Sequence, residues 1–260
     1  MRVTRWLRAH PRVLAGSFST LAILGWQFIG APAFRFLPSP TEIAGVFVEQ
    51  RGGLWLATSA TGAAALIGFF LGCGIAVALA LIALFSRSVE AAVLRLGLAL
   101  YSVPIIVIAP LFVLWLGAGQ KPRIALSALA VFFGVLVGTI RGLRAVTQQS
   151  RDLMHVLSAN GFQVFRFLRI PFALPYIMNA LKIAAPAAVF GAIVGEWVGA
   201  DRGLGVVLIY SLFQFQVPTL WAAMVLTTAI ALGGYALIGV LEQVAMPWHE
   251  SVRAARLETR

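Results

Sequence analysis

Charged side chains are scarce in this chain, and their scarcity excludes an ordinary soluble fold. Only 11% of the 260 residues are Asp, Glu, Lys or Arg, whereas 60% are hydrophobic and the mean hydropathy is +0.93. A soluble domain typically has about 25% charged residues. No stretch of the sequence is polar enough to form a separate soluble domain. We therefore expect residues 1–260 to form a single transmembrane domain.

Residue patterns for catalysis, cofactor binding and disulfide pairing are also missing. The single cysteine, Cys73, lies in an apolar run, which excludes an internal disulfide framework and a CxxC metal site. The three histidines lack metal-ligand spacing, and no GxxxxGK[ST] loop is present to bind nucleotide phosphates. The net charge of +11 comes from basic residues between apolar runs, not from one polar face, which argues against nucleic-acid binding. We expect no enzyme activity, no cofactor and no metal in this chain.

Long apolar runs are what the sequence does have. A membrane-spanning helix needs roughly 20 mostly apolar residues, and six runs approach or exceed that length. The sequence therefore predicts an all-α polytopic membrane protein with about six transmembrane helices. The basic start and the Ala31-Pro32-Ala33 stretch also resemble a cleaved signal peptide, but the first apolar run is longer than a usual signal core, so we interpret it as a span. The six candidate spans are residues 13–30, 61–85, 98–117, 124–140, 176–199 and 219–241.

The distribution of Lys and Arg predicts the orientation in the membrane. With the N-terminus in the cytoplasm, 14 of the 20 basic residues fall in cytoplasmic segments and 5 in external ones, while Lys182 lies inside the fifth span. Cytoplasmic loops are generally richer in Lys and Arg, so both termini are expected in the cytoplasm. Lys121 and Arg123 are a local exception, because they lie in a very short external loop.

The external segment 34–60 contains a helix-start signal. Pro40, Thr41 and Glu42 form a typical first helical turn. The apolar residues that follow predict a short interfacial helix outside the membrane. These residues are Ile43, Val46, Phe47, Leu54 and Leu56.

The longest predicted cytoplasmic loop is residues 141–175. Leu153, Val156 and Leu157 fall on one helical face, and Asn160-Gly161 can end that helix. A second, basic amphipathic helix is predicted after this break, ending at the prolines at 171 and 175. Such a helix pair could dock into a soluble partner or lie among lipid headgroups, and the residues alone leave both interpretations open.

The same loop resembles the coupling loop of ABC-transporter permeases. Their pattern is roughly Glu-Ala-Ala, three residues, Gly, and later a hydrophobic-Pro-x-x-hydrophobic-Pro ending. Asp152-Leu153-Met154 stands in place of the first part, Ser158 in place of the glycine, and residues 170–175 match the ending. We expect Gly161 to supply part of the flexibility that a glycine at 158 would give. Residues 37–40, 103–117 and 195–205 resemble permeases for nitrate, sulfonate and taurine, and residues 247–249 resemble those for thiamine-pyrimidine precursors or riboflavin.

The resemblance implies the membrane permease of a bacterial ABC importer. It implies an inner-membrane location, a second copy of this chain, two cytoplasmic ATPase subunits that bind ATP and Mg²⁺, and an extracytoplasmic solute-binding protein. The solute stays open between an organic anion and a heterocyclic vitamin precursor. The alternative is an ion-coupled secondary transporter, which would favour several paired carboxylates within the membrane.

The resemblance also implies which residues contact the ATPase. They are Asp152, Leu153, Val156, Leu157, Ser158, Gly161 and Phe162.

Three residues are candidates for the transport pathway. Pro104 and Pro110 disrupt the third span locally, which indicates either a kinked helix lining the pathway or a bend that only improves packing. Glu196 is acidic and lies near the outer end of the fifth span. An ionisable residue in a span is costly and often functional, so Glu196 could contact solute or stabilise the adjoining turn.

Overall fold

In the computed structural model of the protein, residues 24–30 and 36–247 are described, and the regular elements among them are helical. A π-helical turn, Trp26–Gly30, precedes the α-helices. The α-helices are α1 Pro40–Glu49, α2 Arg51–Ile82, α3 Arg87–Ser102, α4 Ile105–Leu116, α5 Gln120–Arg144, α6 Gln148–Val156, α7 Gly161–Gly199 with a π-helical turn at Phe165–Arg169, α8 Leu204–Phe213 and α9 Val217–Ala245.

Within residues 24–30 and 36–247, four helices are long and apolar enough to cross a membrane: α2, α5, α7 and α9. They contain the predicted spans 61–85, 124–140, 176–199 and 219–241 almost entirely, and each extends beyond its prediction. The pair α3 and α4 counts as a fifth span if its bend is included. Most of the predicted span 13–30 lies outside the described residues.

The predicted disruption of the third span, 98–117, is confirmed at Pro104 and wrong at Pro110. Helices α3 and α4 meet at an angle of 95° across Val103 and Pro104. A proline disfavours helical backbone at the residue before it, and Val103 accordingly has an extended ψ of 123°. Pro110, by contrast, lies inside α4 and does not interrupt it.

The prediction that Pro171 and Pro175 end a helix before the fifth span is also wrong. Both prolines lie within the continuous helix α7. The π-helical turn Phe165–Arg169 immediately precedes Pro171, and local π turns are one way in which membrane helices accommodate proline. The coupling loop therefore joins the fifth span without a break.

The short helix predicted to start near Pro40 is confirmed as α1, although it is shorter than predicted. The Ser39 side chain accepts a hydrogen bond from the Glu42 backbone at 3.2 Å, and the Ser39 N–H donates to the Glu42 carboxylate at 2.7 Å. This capping box fixes the helix start. Leu54 and Leu56 belong instead to α2, which begins at Arg51 directly after α1 ends.

Helix α5 packs closely against both α2 and α7 because glycines let the backbones approach. A Cβ atom at Gly191 of α7 would lie 2.6 Å from the Leu126 carbonyl oxygen, and one at Gly195 would lie 2.5 Å from the Arg123 Cα. Gly72 of α2 makes a similarly close approach to Ala128. The result is a tightly packed centre in which α5 carries Arg123 at one end and Arg144 at the other.

Candidate functional site

The segment between α5 and α7 is a helical turn with both helix starts fixed by caps. The Thr147 hydroxyl accepts a hydrogen bond from the Ser150 N–H at 3.3 Å at the start of α6. At the start of α7, the Gln163 N–H donates to the Asn160 side chain at 2.9 Å, and the Asn160 N–H donates to the Gln163 side chain at 2.8 Å. These caps satisfy backbone donors that have no partner within the helix.

Helix α6 ends in a tight turn at Ser158. Ser158 has a φ of +50°, in the left-handed region. Its N–H donates to the His155 carbonyl at 2.9 Å, and the Ala159 N–H donates to the Met154 carbonyl at 3.0 Å. This is the hydrogen-bond pattern of a Schellman motif, which usually has glycine at the left-handed position. The glycine of the coupling-loop pattern therefore matches a position, Ser158, where the backbone adopts a positive φ. Gly161, in contrast, lies in the first turn of α7 and has no positive φ.

Apolar side chains cluster on the exposed side of this turn. Val156 is 80% exposed and Leu157 is 65% exposed, and α6 has no buried residue. Asp152, also exposed, accepts a hydrogen bond from the Gln148 side chain at 2.8 Å. We call the exposed group the apolar turn surface. It consists of Leu153, Val156, Leu157 and Phe162.

The turn rests on a packed base. Leu168 of α7 is buried, and the Arg151 guanidinium donates to the Val146 carbonyl at 3.1 Å. A Cβ atom at Gly142 would lie 2.9 Å from the Ala173 carbonyl oxygen, so α5 and α7 are in close contact beside the turn. The turn therefore adjoins a close contact between these two long helices.

The opposite end of α5 holds a buried polar cluster around Glu196. The Thr61 hydroxyl of α2 donates to the Glu196 carboxylate, with oxygen separations of 2.8 and 3.0 Å. The Gly205 N–H, in the first turn of α8, donates to Glu196 Oε2 at 2.8 Å, and the Leu204 N–H donates to the Thr61 hydroxyl at 2.8 Å. A carboxylate is stabilised at a helix N-terminus by such N–H groups. Glu196 thereby fixes the start of α8.

Arg123 and Gly203 complete this cluster, which we call the polar node. The buried Arg123 Nη1 lies 3.7 Å from Glu196 Oε1 and donates to the Arg202 carbonyl at 2.8 Å. Gly203 has a φ of +141°, and a Cβ atom there would collide with the Glu196 carboxyl group. Sequence reasoning missed Thr61 and Arg123 as partners. The available signal was the position of Arg123 among apolar runs. The prediction that Lys121 and Arg123 lie in a loop is wrong, because both residues lie in the first turn of α5.

The two proline candidates for the pathway differ from Glu196 in exposure. Pro104 and Pro110 are exposed, Pro104 at the bend and Pro110 within α4, whereas Glu196 is 1% exposed. The hydrogen bonds to its carboxylate come from this chain, which favours stabilisation of the turn over contact with solute. The seven residues predicted to contact an ATPase, in contrast, all lie within or beside one turn.

A family model describes this architecture. Residues 68–245 match the model of the binding-protein-dependent transport system inner membrane component. The chain belongs to that family. The permease is therefore the multi-pass inner-membrane subunit of an ATP-driven importer, not an enzyme. Its family works with a separate ATPase and a solute-binding protein, and this overturns the ion-coupled alternative.

Individual relatives cover nearly the whole permease. It is 34% identical over 248 residues to the formylaminopyrimidine transport permease protein of Halalkalibacterium halodurans, covering 94% of this chain and 98% of the relative. It is 33% identical over 237 residues to the riboflavin transport system permease protein of Chloroflexus aurantiacus, covering 89% and 88%. A putative aliphatic sulfonates transport permease protein of Bacillus subtilis is 27% identical over 231 residues, covering 87% and 84%.

A solved structure shares the fold. The inward-facing MetNI methionine ABC transporter contains a chain that aligns with a TM-score of 0.61 at 18% identity, covering 74% of this chain and 97% of that one. At this identity the likeness shows the fold alone. The observed helix arrangement is thus that of an ABC importer permease.

Proposed function

We propose that the apolar turn surface is the part of the permease that docks into the ATPase subunit. The observation that carries this proposal is the exposure of four apolar side chains on a turn whose backbone is held by two caps and a Schellman motif. A rigid turn with exposed apolar anchors is suited to a protein cleft, where buried anchors supply much of the binding energy. Its attachment to α5 and α7 would pass the motion of the ATPase to the spans.

In the proposed cycle, the permease has no chemical step. ATP and Mg²⁺ bind the ATPase subunits, whose closure moves the docked turns together. Helices α5 and α7 then tilt and expose the pathway to the other side of the membrane. Such a change requires only that ATP binding favour one of two conformations of the assembled transporter.

The docking proposal is tested by placing a charge in the apolar turn surface. Leu157→Glu is expected to abolish co-purification with the ATPase, because truncating one anchor already costs about 1–4 kcal/mol and a buried unpaired carboxylate costs more. Phe85→Glu is the matched control, since Phe85 is 86% exposed and follows α2 near the base of the turn. Normal co-purification of the Leu157 variant would reject the docking proposal and favour the headgroup interpretation.

We also infer that this turn and both termini are cytoplasmic. The inference is supported by the excess of Lys and Arg in the segments assigned to the cytoplasm. In a Cys73→Ser background, His155→Cys should react with a membrane-impermeant maleimide only from the cytoplasmic side, and Asp201→Cys only from outside. Both side chains are exposed. Reaction of His155→Cys from outside would reverse the orientation.

A second copy of the chain is proposed to complete the pathway. The support is the exposed face of α4, where Leu114 is 79% exposed and both candidate prolines lie at the surface of the single chain. If α4 lines the pathway, the opposite wall must come from another subunit. Leu114→Cys in the Cys73→Ser background should form a disulfide-linked dimer on oxidation, whereas Leu66→Cys on α2 should not. If no disulfide-linked dimer formed through position 114, the proposal that α4 lies at the interface between the two copies would be wrong.

The solute is proposed to be a planar nitrogen heterocycle rather than a sulfonate. The support is the identity of 33–34% to permeases named for formylaminopyrimidine and riboflavin, compared with 27% to a sulfonate permease. The test is binding of formylaminopyrimidine, riboflavin, taurine and an alkanesulfonate to the solute-binding protein that works with this permease. Selective binding of a sulfonate would overturn this assignment and leave the docking proposal unaffected.

A further inference from the structure

A charged contact lies at the base of residues 145–160, the segment between α5 and α7 that we call the coupling turn. Glu90, in the first turn of α3, forms an ion pair with Arg144, the last residue of α5. The Glu90 side chain is 13% exposed and the Arg144 side chain 30% exposed. Partial burial strengthens an ion pair compared with one on the open surface, so this contact can hold two elements together.

The pair adds a charged contact to the apolar packing between α3 and α5, which includes the stacked rings of Tyr101 and Phe133. A cavity of about 650 Å³ lies between α3, the second half of α5 and Tyr176 of α7, and both Glu90 and Arg144 line it. Farther along α3, Gly97 lies against the apolar side chains of Phe133 and Leu136 of α5. The ion pair lies where the end of α5 meets the first turn of α3, and it requires the two charged groups to face each other.

The position of the pair places it between the coupling turn and the bend. Three residues separate Arg144 from the start of α6, and the Val146 carbonyl accepts a hydrogen bond from Arg151 of α6. Glu90 lies on the helix that leads directly to the 95° bend at Pro104. We propose that Glu90 and Arg144 are positioning residues that transmit movement of the coupling turn to α3 and to the bend. This proposal rests on docking of the apolar turn surface.

If the ion pair had only a structural role, its neutralisation would have a different effect from the one that we propose. A second ion pair in the chain serves as a matched control. Lys182 of α7 and Glu242 of α9 also form an ion pair, and their side chains are 20% and 12% exposed. Neither residue adjoins the coupling turn in sequence. If general stability were the only role, neutralising either pair would have the same effect on the bend.

The test uses the complete transporter, with ATPase and binding protein, in proteoliposomes. In a Cys73→Ser background, single cysteines are placed at His155 on α6 or at Ser102 beside the bend, both exposed. Maleimide modification rates are measured without nucleotide and with ATP and vanadate. In the parent, both rates are expected to change with nucleotide. In Glu90→Gln, the change at 155 should persist and the change at 102 should be lost, while Glu242→Gln should retain both.

A variant with the two charges exchanged distinguishes loss of transmission through the ion pair from general damage to the structure. Glu90→Arg alone places two guanidinium groups together and should abolish the response at 102, whereas Glu90→Arg combined with Arg144→Glu should recover it. A response at 102 that persists in Glu90→Gln, or that is lost equally in Glu242→Gln, would overturn the proposal. Absence of a response at 155 in the parent would instead reject docking, and with it this path of transmission.

Discussion

The two ends of α5 carry opposite arrangements of polarity. At the Arg123 end, the polar node buries a carboxylate, a guanidinium and a hydroxyl with partners supplied by the same chain. At the Arg144 end, the apolar turn surface leaves Leu157 and its neighbours exposed. Buried polar groups need hydrogen-bond or charge partners in order to be tolerated, whereas a cluster of exposed apolar groups is typical of an interaction site. The first arrangement stabilises the fold of the permease, and under the docking proposal the second serves its assembly.

Removing the carboxylate of the polar node should have the largest effect on stability. Glu196→Ala leaves Arg123 buried without its counterion, and breaking a buried pair from one side costs about 3–5 kcal/mol. It also leaves the Gly205 N–H without its acceptor. Glu196→Gln should cost less, because an amide oxygen can still accept one hydrogen bond. The measurement is the free energy of unfolding of the purified permease from an SDS titration.

Leu157→Glu in the isolated permease provides the contrast, since an exposed site should leave the same unfolding transition unchanged. If Glu196→Ala and Leu157→Glu shifted the transition equally, the distinction between a folding end and an assembly end would be lost. If Glu196→Ala left it unchanged, the node would carry no stability, and a role for Glu196 in contact with solute would regain support.

Thr61 should contribute less than Glu196 to the free energy of unfolding. Thr61→Val removes the donor to Glu196 and the acceptor of the Leu204 N–H, and a buried group left without its partner costs about 1–3 kcal/mol. Thr58, one turn earlier in α2, is the control. Its hydroxyl oxygen is buried and has no hydrogen-bond partner among the described residues, so Thr58→Val should be neutral or slightly stabilising. Equal losses from both variants in the SDS titration would contradict the assigned role of Thr61.

Much of the fold could be predicted because the spans follow from apolar run length. Residues 61–85 and 219–241 required only hydropathy, and α1 required only its capping signal at Ser39 and Glu42. The bend at Pro104 was harder to predict, because proline interrupts the helix at this position but is accommodated within other helices, such as α7 at Pro175. Which outcome occurs depends on neighbouring helices and on local π turns, and these contacts are absent from a local sequence pattern.

The candidate site was predictable at one end and not at the other. The apolar turn surface is local in sequence, so its residues could be recognised together from spacing and from the coupling-loop resemblance. The polar node joins Thr61 to Glu196 across 135 positions in the chain. Only the close packing of α2, α5 and α7 brings these residues together. Hydropathy identified Glu196 as unusual, but it gave no information about the hydroxyl and the guanidinium that satisfy it.

The smallest expected effect concerns the backbone of the coupling turn. A non-glycine residue in the left-handed region costs roughly 1–2 kcal/mol. Glycine avoids this cost, but part of the gain is offset because glycine loses more conformational entropy on folding. Ser158→Gly should therefore stabilise the turn by about 0.5–1 kcal/mol, seen as slower amide hydrogen exchange at Ala159. Ser158→Val should do the reverse, because a β-branched side chain tolerates this conformation least.

Gly161 is the matched position for this last comparison. It lies in a helical turn with no atom near its missing Cβ, so Gly161→Ala should keep the turn intact and gain helix propensity. If the backbone requirement is at 158, Ser158→Val should weaken co-purification with the ATPase and Gly161→Ala should leave it unchanged. If flexibility at 161 matters instead, as the sequence alone indicated, Gly161→Ala would be the more damaging change. The comparison thus decides whether the turn acts as a rigid element or as a hinge.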